Sequence, residues 1–432
     1  MRRNSIDSAE QFVKQRTISC SRYGVEDRIS ALPVDLLVRI LSLVSTKDAV
    51  ATMILSKRWR TIWTMVPLLE YTETKTNFLS RLIRKSSKRP RSIWWFLNES
   101  IRLHKAPILE CLDIELGPHC PIDANVGKWI ESAVDRRVRE LGFDLMWSAK
   151  PISLPKSLYT CDTLVDLSLY NKVYVDVSSS LVCLPSLRYL ALDSVVYKDE
   201  DSLVRLLSSC PILEYLYVVR HNQDNVTKFS VKVPSLETFK YFNWKPKEVE
   251  DIEGSLVIDS ENLEEFSIGD SSTNSCSIEN KPPSLDRAII YYYRYPDDKF
   301  MKSLSSVRYL DICLCVVTPL VSLLQNSPEL KVLLIDQGHL KRAFPLSFKQ
   351  PDDVPLCLST KLEIFEWKEY RGTRQEKQVI RYILANSKCL KRVGISLKST
   401  WKWNKNKITK ELKSMPRIST PSQLYIVKSA LL

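Results

Sequence analysis

The chain has 432 residues, 44% hydrophobic and 26% charged, with a formal net charge of +13. That length allows several domains or one extended array, and the composition is that of an ordinary soluble protein rather than a disordered or membrane-embedded one. Only nine glycines and four histidines occur, with no Gly-rich phosphate-binding loop and no histidine pair at helical spacing, so the common nucleotide-binding signatures are excluded.

Residues 1–25 read as a disordered polar segment. The opening MRRNSIDSAEQFVKQRT has no apolar core, so no secretory signal is expected. No apolar run approaches a bilayer span; the run from Ile312 to Val317 stops at Thr318-Pro319. Eleven cysteines without framework spacing point to reduced thiols in an intracellular compartment, nucleus or cytosol.

Residues 28–63 predict three short helices. Pro33 suits a first helical turn, and Asp35 favours the positive end of the helix dipole. Leu36, Leu37, Ile40, Leu41 and Val44 then form an apolar stripe. Asp48 is read as the N-cap of a second helix, Ala49 to Ile54, and Ser56 as that of a third, in which Trp59, Ile62 and Trp63 share a face. Three such helices are too small to bury this much apolar surface among themselves. Either the rest of the chain covers it or a second protein does.

The run Leu32-Pro33, Leu36, Ile40-Leu41-Ser42, Asp48-Ala49-Val50, Leu55-Ser56-Lys57-Arg58-Trp59-Arg60 and Trp63 resembles the F-box motif as found in plant proteins. The resemblance covers about a tenth of the chain, with 26–70 taken as the domain. It implies docking of a Skp-family adaptor, and through it a cullin-RING (SCF-type) ubiquitin ligase. The expected adaptor contacts are Leu32, Pro33, Leu36, Ile40, Leu41, Val44, Trp59 and Trp63, with the third helix the first place to break the grip.

Residues 71–105 are read as a basic linker and helix, from Arg81, Arg84, Lys85, Lys88, Arg89 and Arg91. An import signal or an anion patch would show the same cluster. A second basic set, Lys398, Lys402, Lys405, Lys407 and Lys410, lies near the C-terminus.

Beyond the linker an apolar residue is followed by others three and five positions later. The pattern runs from Leu109-Leu112-Ile114 to Leu390-Val393-Ile395, twelve times at steps of 22 to 32 residues. This is the L-x-x-L-x-L of leucine-rich repeats: the last two residues point inward from a strand, and strands stack in parallel. Outer helices are expected at residues 128–137, 201–208, 319–325 and 375–386. The fold class is therefore α/β: the F-box helices, then an irregular leucine-rich-repeat solenoid with a parallel sheet over residues 106–350.

The last segment, with Leu362-Glu363-Ile364-Phe365, Tyr370-Arg371-Gly372, Ile383-Leu384-Ala385-Asn386-Ser387 and Leu412-Lys413-Ser414-Met415-Pro416-Arg417, resembles the FBD domain that follows F-box and leucine-rich segments in a plant family. It is placed at 353–427 and expected to cap the array by covering its last open edge.

In register, the first strands present Cys111, Asp113, Glu115, Glu140, Asp144, Asp166 and Ser168, an acidic end of the concave face. The middle strands present Tyr189, Tyr215, Tyr217, Lys240, Phe242, Arg287, Tyr291 and Tyr309. Tyrosine and arginine are enriched among interface anchors, so these eight are the candidate target contacts; strand propensity alone would also place tyrosines here.

No active site, cofactor or metal site is read. His119-Cys120 fall in a loop, and Cys313 and Cys315 lack a second pair to complete a zinc site. The sequence thus favours a non-catalytic substrate-recognition subunit with a protein target. A basic nucleic-acid-binding or scaffold array is the alternative, disfavoured because the basic clusters lie off the concave face; no membrane partner is expected.

Overall fold

The computed structural model describes residues 29, 31–73, 93–117, 124–146, 151–171, 173–177, 182–221, 226–244, 254–272, 275–280, 282–293, 297–313, 320–337, 348–398, 405–419 and 422–428. The basic cluster at 81–91, His119-Cys120, Cys315 and Lys402 lie outside them. Contacts divide the chain into two units, Met1–Leu68 with Leu103–Ala106, and Leu69–Arg102 with Pro107–Leu432.

The first unit contains α1 (Val34–Leu41), α2 (Thr46–Ala51) and α3 (Trp59–Ile62), with single 3-10 turns after α2 and α3. Pro33 caps α1, with Asp35 in its first turn. The second helix starts earlier than expected. Ser45, not Asp48, is its N-cap: the Ser45 hydroxyl accepts from the Asp48 amide at 3.2 Å and donates to the Asp48 carboxylate at 2.7 Å. Ser56 caps nothing, because residues 57 and 58 turn before α3 begins. Leu37, Leu41, Ala49, Trp59, Ile62, Trp63 and Val66 form this unit's core. The Lys105 and Ala106 amides both donate to the Thr64 carbonyl, at 2.7 and 3.0 Å.

The second unit is built on one parallel sheet. Among the described residues its strands run β1 (Leu68–Thr72), β2 (Cys111–Leu116), β3 (Glu140–Leu145), β5 (Asp166–Tyr170), β7 (Tyr189–Tyr197), β8 (Tyr215–Arg220), β10 (Thr238–Asn243), β12 (Glu265–Asp270), β14 (Arg287–Tyr293), β15 (Tyr309–Ile312), β16 (Val332–Asp336), β17 (Ile364–Tyr370), β18 (Arg392–Leu397) and β19 (Gln423–Lys428). The repeat positions align across it. Leu112, Leu141, Leu167, Leu190, Leu216, Phe239, Phe266, Ala288, Leu310, Leu333, Phe365 and Val393 stand side by side, all in the core. Period-two alternation in most strands makes that row possible, and a one-residue slip there would turn a core side chain to water; β7, β12 and β16 carry runs of buried residues instead.

Successive units are tied by backbone. The carbonyl just after each first repeat position accepts two amides from the next unit, from Arg139 and Glu140 onto Glu110 through to Lys391 and Arg392 onto Glu363. Three Pro-Ser-Leu turns add a side-chain tie: Ser186, Ser235 and Ser284 donate back to the carbonyls of Asp162, Leu213 and Leu263 at 2.6, 2.9 and 3.0 Å.

The return segments are mixed. Helices α4 (Ile93–Leu103), α5 (Val126–Asp135), α6 (Glu200–Ser208), α7 (Asp298–Ser303), α8 (Leu320–Asn326), α9 (Leu356–Thr360), α10 (Arg374–Asn386) and α11 (Lys405–Ser414) supply several. The expected outer helices at 128–137, 201–208, 319–325 and 375–386 correspond to α5, α6, α8 and α10. Elsewhere a second parallel ladder replaces the helix: β9 (Lys228–Lys232), β11 (Ser255–Asp259) and β13 (Ser275–Ile278) pair in register. The short strands β4 (Ile152–Ser153) and β6 (Val173–Val175) pair likewise, with β6 also on β7. The C-terminal segment closes the array with strands of its own, in line with the repeat units at Leu362 and Leu390: β17, β18 and β19 continue the sheet, and β19 is its last strand among the described residues. No described helix is long and apolar enough to cross a membrane.

Candidate functional site

In the first unit α1 is amphipathic on two sides. Leu37 is 0% exposed and faces the core, whereas Val34, Leu36, Ile40 and Val44 face outward. Leu43 at 85% and Ile54 at 82% exposure, with Leu55, extend this apolar surface onto the following turns. Arg58 holds the entry by donating to the Leu32 carbonyl. Of the eight residues expected to meet an adaptor, Pro33, Leu36, Ile40 and Val44 are on the surface and Leu32 is half-buried. Leu41, Trp59 and Trp63 are not available: each is buried, Trp59 to 4% exposure, because three short helices need their largest rings to make a core at all. Val34, Leu43, Ile54 and Leu55 are exposed apolar side chains outside the expected stripe.

The second surface is the sheet face opposite the core. Its middle is aromatic. Tyr189 and Tyr215 stack with centroids 4.7 Å apart, and Phe242 lies 5.8 Å from Tyr217, 6.1 Å from Trp244 and 5.5 Å from Tyr291. Gly269 permits this crowding, since a Cβ there would come within 2.8 Å of both Phe242 and Trp244. Lys240 lies over the Tyr215 ring at 5.3 Å and Arg287 over the Tyr309 ring at 4.2 Å. Glu265 sits 3.6 Å from both cations and fixes them. All eight predicted target contacts are therefore on one face. Tyr291 reaches it as the extra residue of a bulge, where Ile290 pairs with Ile268 but Tyr292 with Gly269. Trp244 and Tyr170 belong to the same face and were missed, Trp244 because it lies one residue past its strand.

The first strands are acidic, as expected, and crowded. Burial pushes the Asp166 carboxyl up to about 6, and Glu140 and Asp113 push it the same way. Burial also raises Asp113, helped by Glu70 and Asp144, and Asp193, helped by Asp144. Burial, then Glu140 and its acidic neighbours, takes the Cys111 thiol up to about 12, so it stays protonated and a weak nucleophile. Among the described residues no group of three or more His, Cys, Asp or Glu side chains is placed to hold a metal ion.

Three segments of the chain match known domain families. The F-box domain profile matches residues 29–71, the profile for the LRR repeats of FBD-associated F-box proteins matches 126–281, and the FBD profile matches 350–395. A putative F-box/FBD/LRR-repeat protein of Arabidopsis thaliana is 47% identical, the alignment covering 93% of this chain and 91% of that one. A putative FBD-associated F-box protein of the same plant is 45% identical over 93% and 97%, and an F-box/FBD/LRR-repeat protein 37% identical over 92% and 98%.

Proposed function

This chain belongs to the plant F-box/FBD/LRR-repeat family, and from that premise we propose that it is the substrate-recognition subunit of an SCF-type ubiquitin ligase. The first unit docks a Skp-family adaptor through Leu36, Ile40, Leu43, Val44, Ile54 and Leu55, and the adaptor links it to a cullin-RING ligase. The observation that carries this is the apolar surface left exposed by a unit whose own core is already complete. The open face of the repeats holds the target, with the Tyr189–Tyr215 stack, Tyr217, Phe242, Tyr291 and the anchored Lys240 and Arg287 as contacts. Catalysis is by positioning alone: no bond is made or broken on this chain, and the target is held where another subunit transfers ubiquitin. Free thiols fit a reducing compartment, nucleus or cytosol.

A pull-down with a Skp-family adaptor tests the docking. Leu36→Asp with Ile40→Asp should abolish binding while the variant still melts cooperatively and close to wild type, since both residues lie on the surface outside the unit's core. Failure of well-folded wild type to bind would overturn the reading. Trp59→Ala is the wrong probe, because it should cost about 3–5 kcal/mol by emptying the core. For the target face, Tyr215→Ala with Tyr217→Ala and Tyr291→Ala should lose a captured target and keep the adaptor.

A further inference from the structure

Outward positions of β1, β2, β3, β5 and β7 carry Glu70, Asp113, Glu140, Asp144, Asp166 and Asp193 and not one lysine or arginine, in a chain of net charge +13. The local bias therefore runs against the whole molecule. It is also costly: like charges on adjoining strands repel, and Asp113, Asp166 and Asp193 all have raised carboxyl pKa values from burial and from one another's neighbours. The next strands in register carry the Tyr189–Tyr215 stack. Ring faces attract ammonium and guanidinium groups, and Lys240 over Tyr215 shows one such ring already in that role. Carboxylates on one side and aromatic faces on the other are complementary to one kind of occupant.

We propose that this end of the open face docks a lysine- and arginine-rich segment of the target protein, with its cations on Asp113, Asp144 and Asp166 and its chain laid across Tyr189 and Tyr215. This rests on the repeat array being the target-binding part and adds the chemical class of the target.

The test uses the full-length chain with labelled octalysine and octaglutamate peptides in fluorescence anisotropy. Bulk charge favours octaglutamate, so preference for octalysine reports the local face. Octalysine should bind, and more weakly as salt rises. The combined variant Asp113→Asn, Asp144→Asn and Asp166→Asn should weaken it at least tenfold. It should also melt no lower than wild type, because the changes remove repulsion. Asp201→Asn with Asp298→Asn, exposed on α6 and α7, should change nothing. Preference for octaglutamate, or wild-type octalysine binding by the triple variant, would overturn the proposal. Adaptor pull-down on the same samples separates the readings: octalysine bound without adaptor sinks the ligase role alone, and adaptor bound without octalysine sinks the cationic target alone.

Discussion

Asp166 shows how one residue trades stability for a surface. Its folded pKa of about 6 lies above the ordinary carboxyl value of 3.8. Well below 3.8 the carboxyl is protonated in both states and contributes nothing. As pH rises from there to about 6, the unfolded chain gives up its proton first, and stability is lost; above about 6 the full penalty remains. Asp166→Asn should therefore stabilise the fold by about 0.5–1 kcal/mol at pH 7, read as a higher melting temperature and discounted because the side chain is half in solvent, and have no effect well below 3.8, at pH ~2.5. A lower melting temperature at pH 7 would show that the neighbours do not repel it. The acidic row itself was legible from alternation. What was not legible is which rings face water. Trp59 and Leu36 share a motif, but only the three-dimensional packing of short helices says that one is core and the other surface.

At the level of elements, α10 has the most complete start. Thr373 accepts from the Glu376 amide at 3.3 Å, and Glu376 returns to the Thr373 amide at 2.9 Å and the Arg371 amide at 3.2 Å. Thr373→Ala should cost about 1 kcal/mol, read as a shift in denaturant midpoint with an unchanged slope. Glu376→Ala should cost more, because two amides in a buried corner lose their acceptor. The helices of the repeats were legible because amphipathic period and cap residues agree. The start of α2 was not, since Ser45 and Asp48 are both cap types and they bond each other, so composition alone cannot rank them. The β9, β11 and β13 ladder escaped for another reason. Segments such as Lys228–Lys232 alternate over only five residues, too few to separate strand from loop without the neighbour that pairs with them. The β1 strand escaped although Val66-Leu69-Tyr71 has the repeat spacing, because 43 residues separate Val66 from Leu109.

Across the whole molecule, each repeat touches mainly its neighbours, so stability is approximately a sum along the stack. Trp367 is fully buried on β17. Trp367→Ala should cost about 3–5 kcal/mol locally. Hydrogen exchange should show protection lost first in β16, β17 and β18, while β2 to β8 keep theirs. Uniform loss across the sheet would mean that the array is one cooperative block. The twelve-unit pattern foretold the register of most of the sheet because every unit repeats one backbone geometry. It also foretold β17 and β18 of the C-terminal module, from the Leu362 and Leu390 units, but not which strand is the last, because an edge strand and a central strand carry the same alternation. The double amide tie between units has a temporal meaning. Its acceptor always lies in the earlier unit and its donors in the later one. A ribosome therefore releases acceptors before the donors that need them. Each unit can settle on a finished predecessor as it emerges, and the stack grows in the order of synthesis with a single unfinished edge at the nascent end.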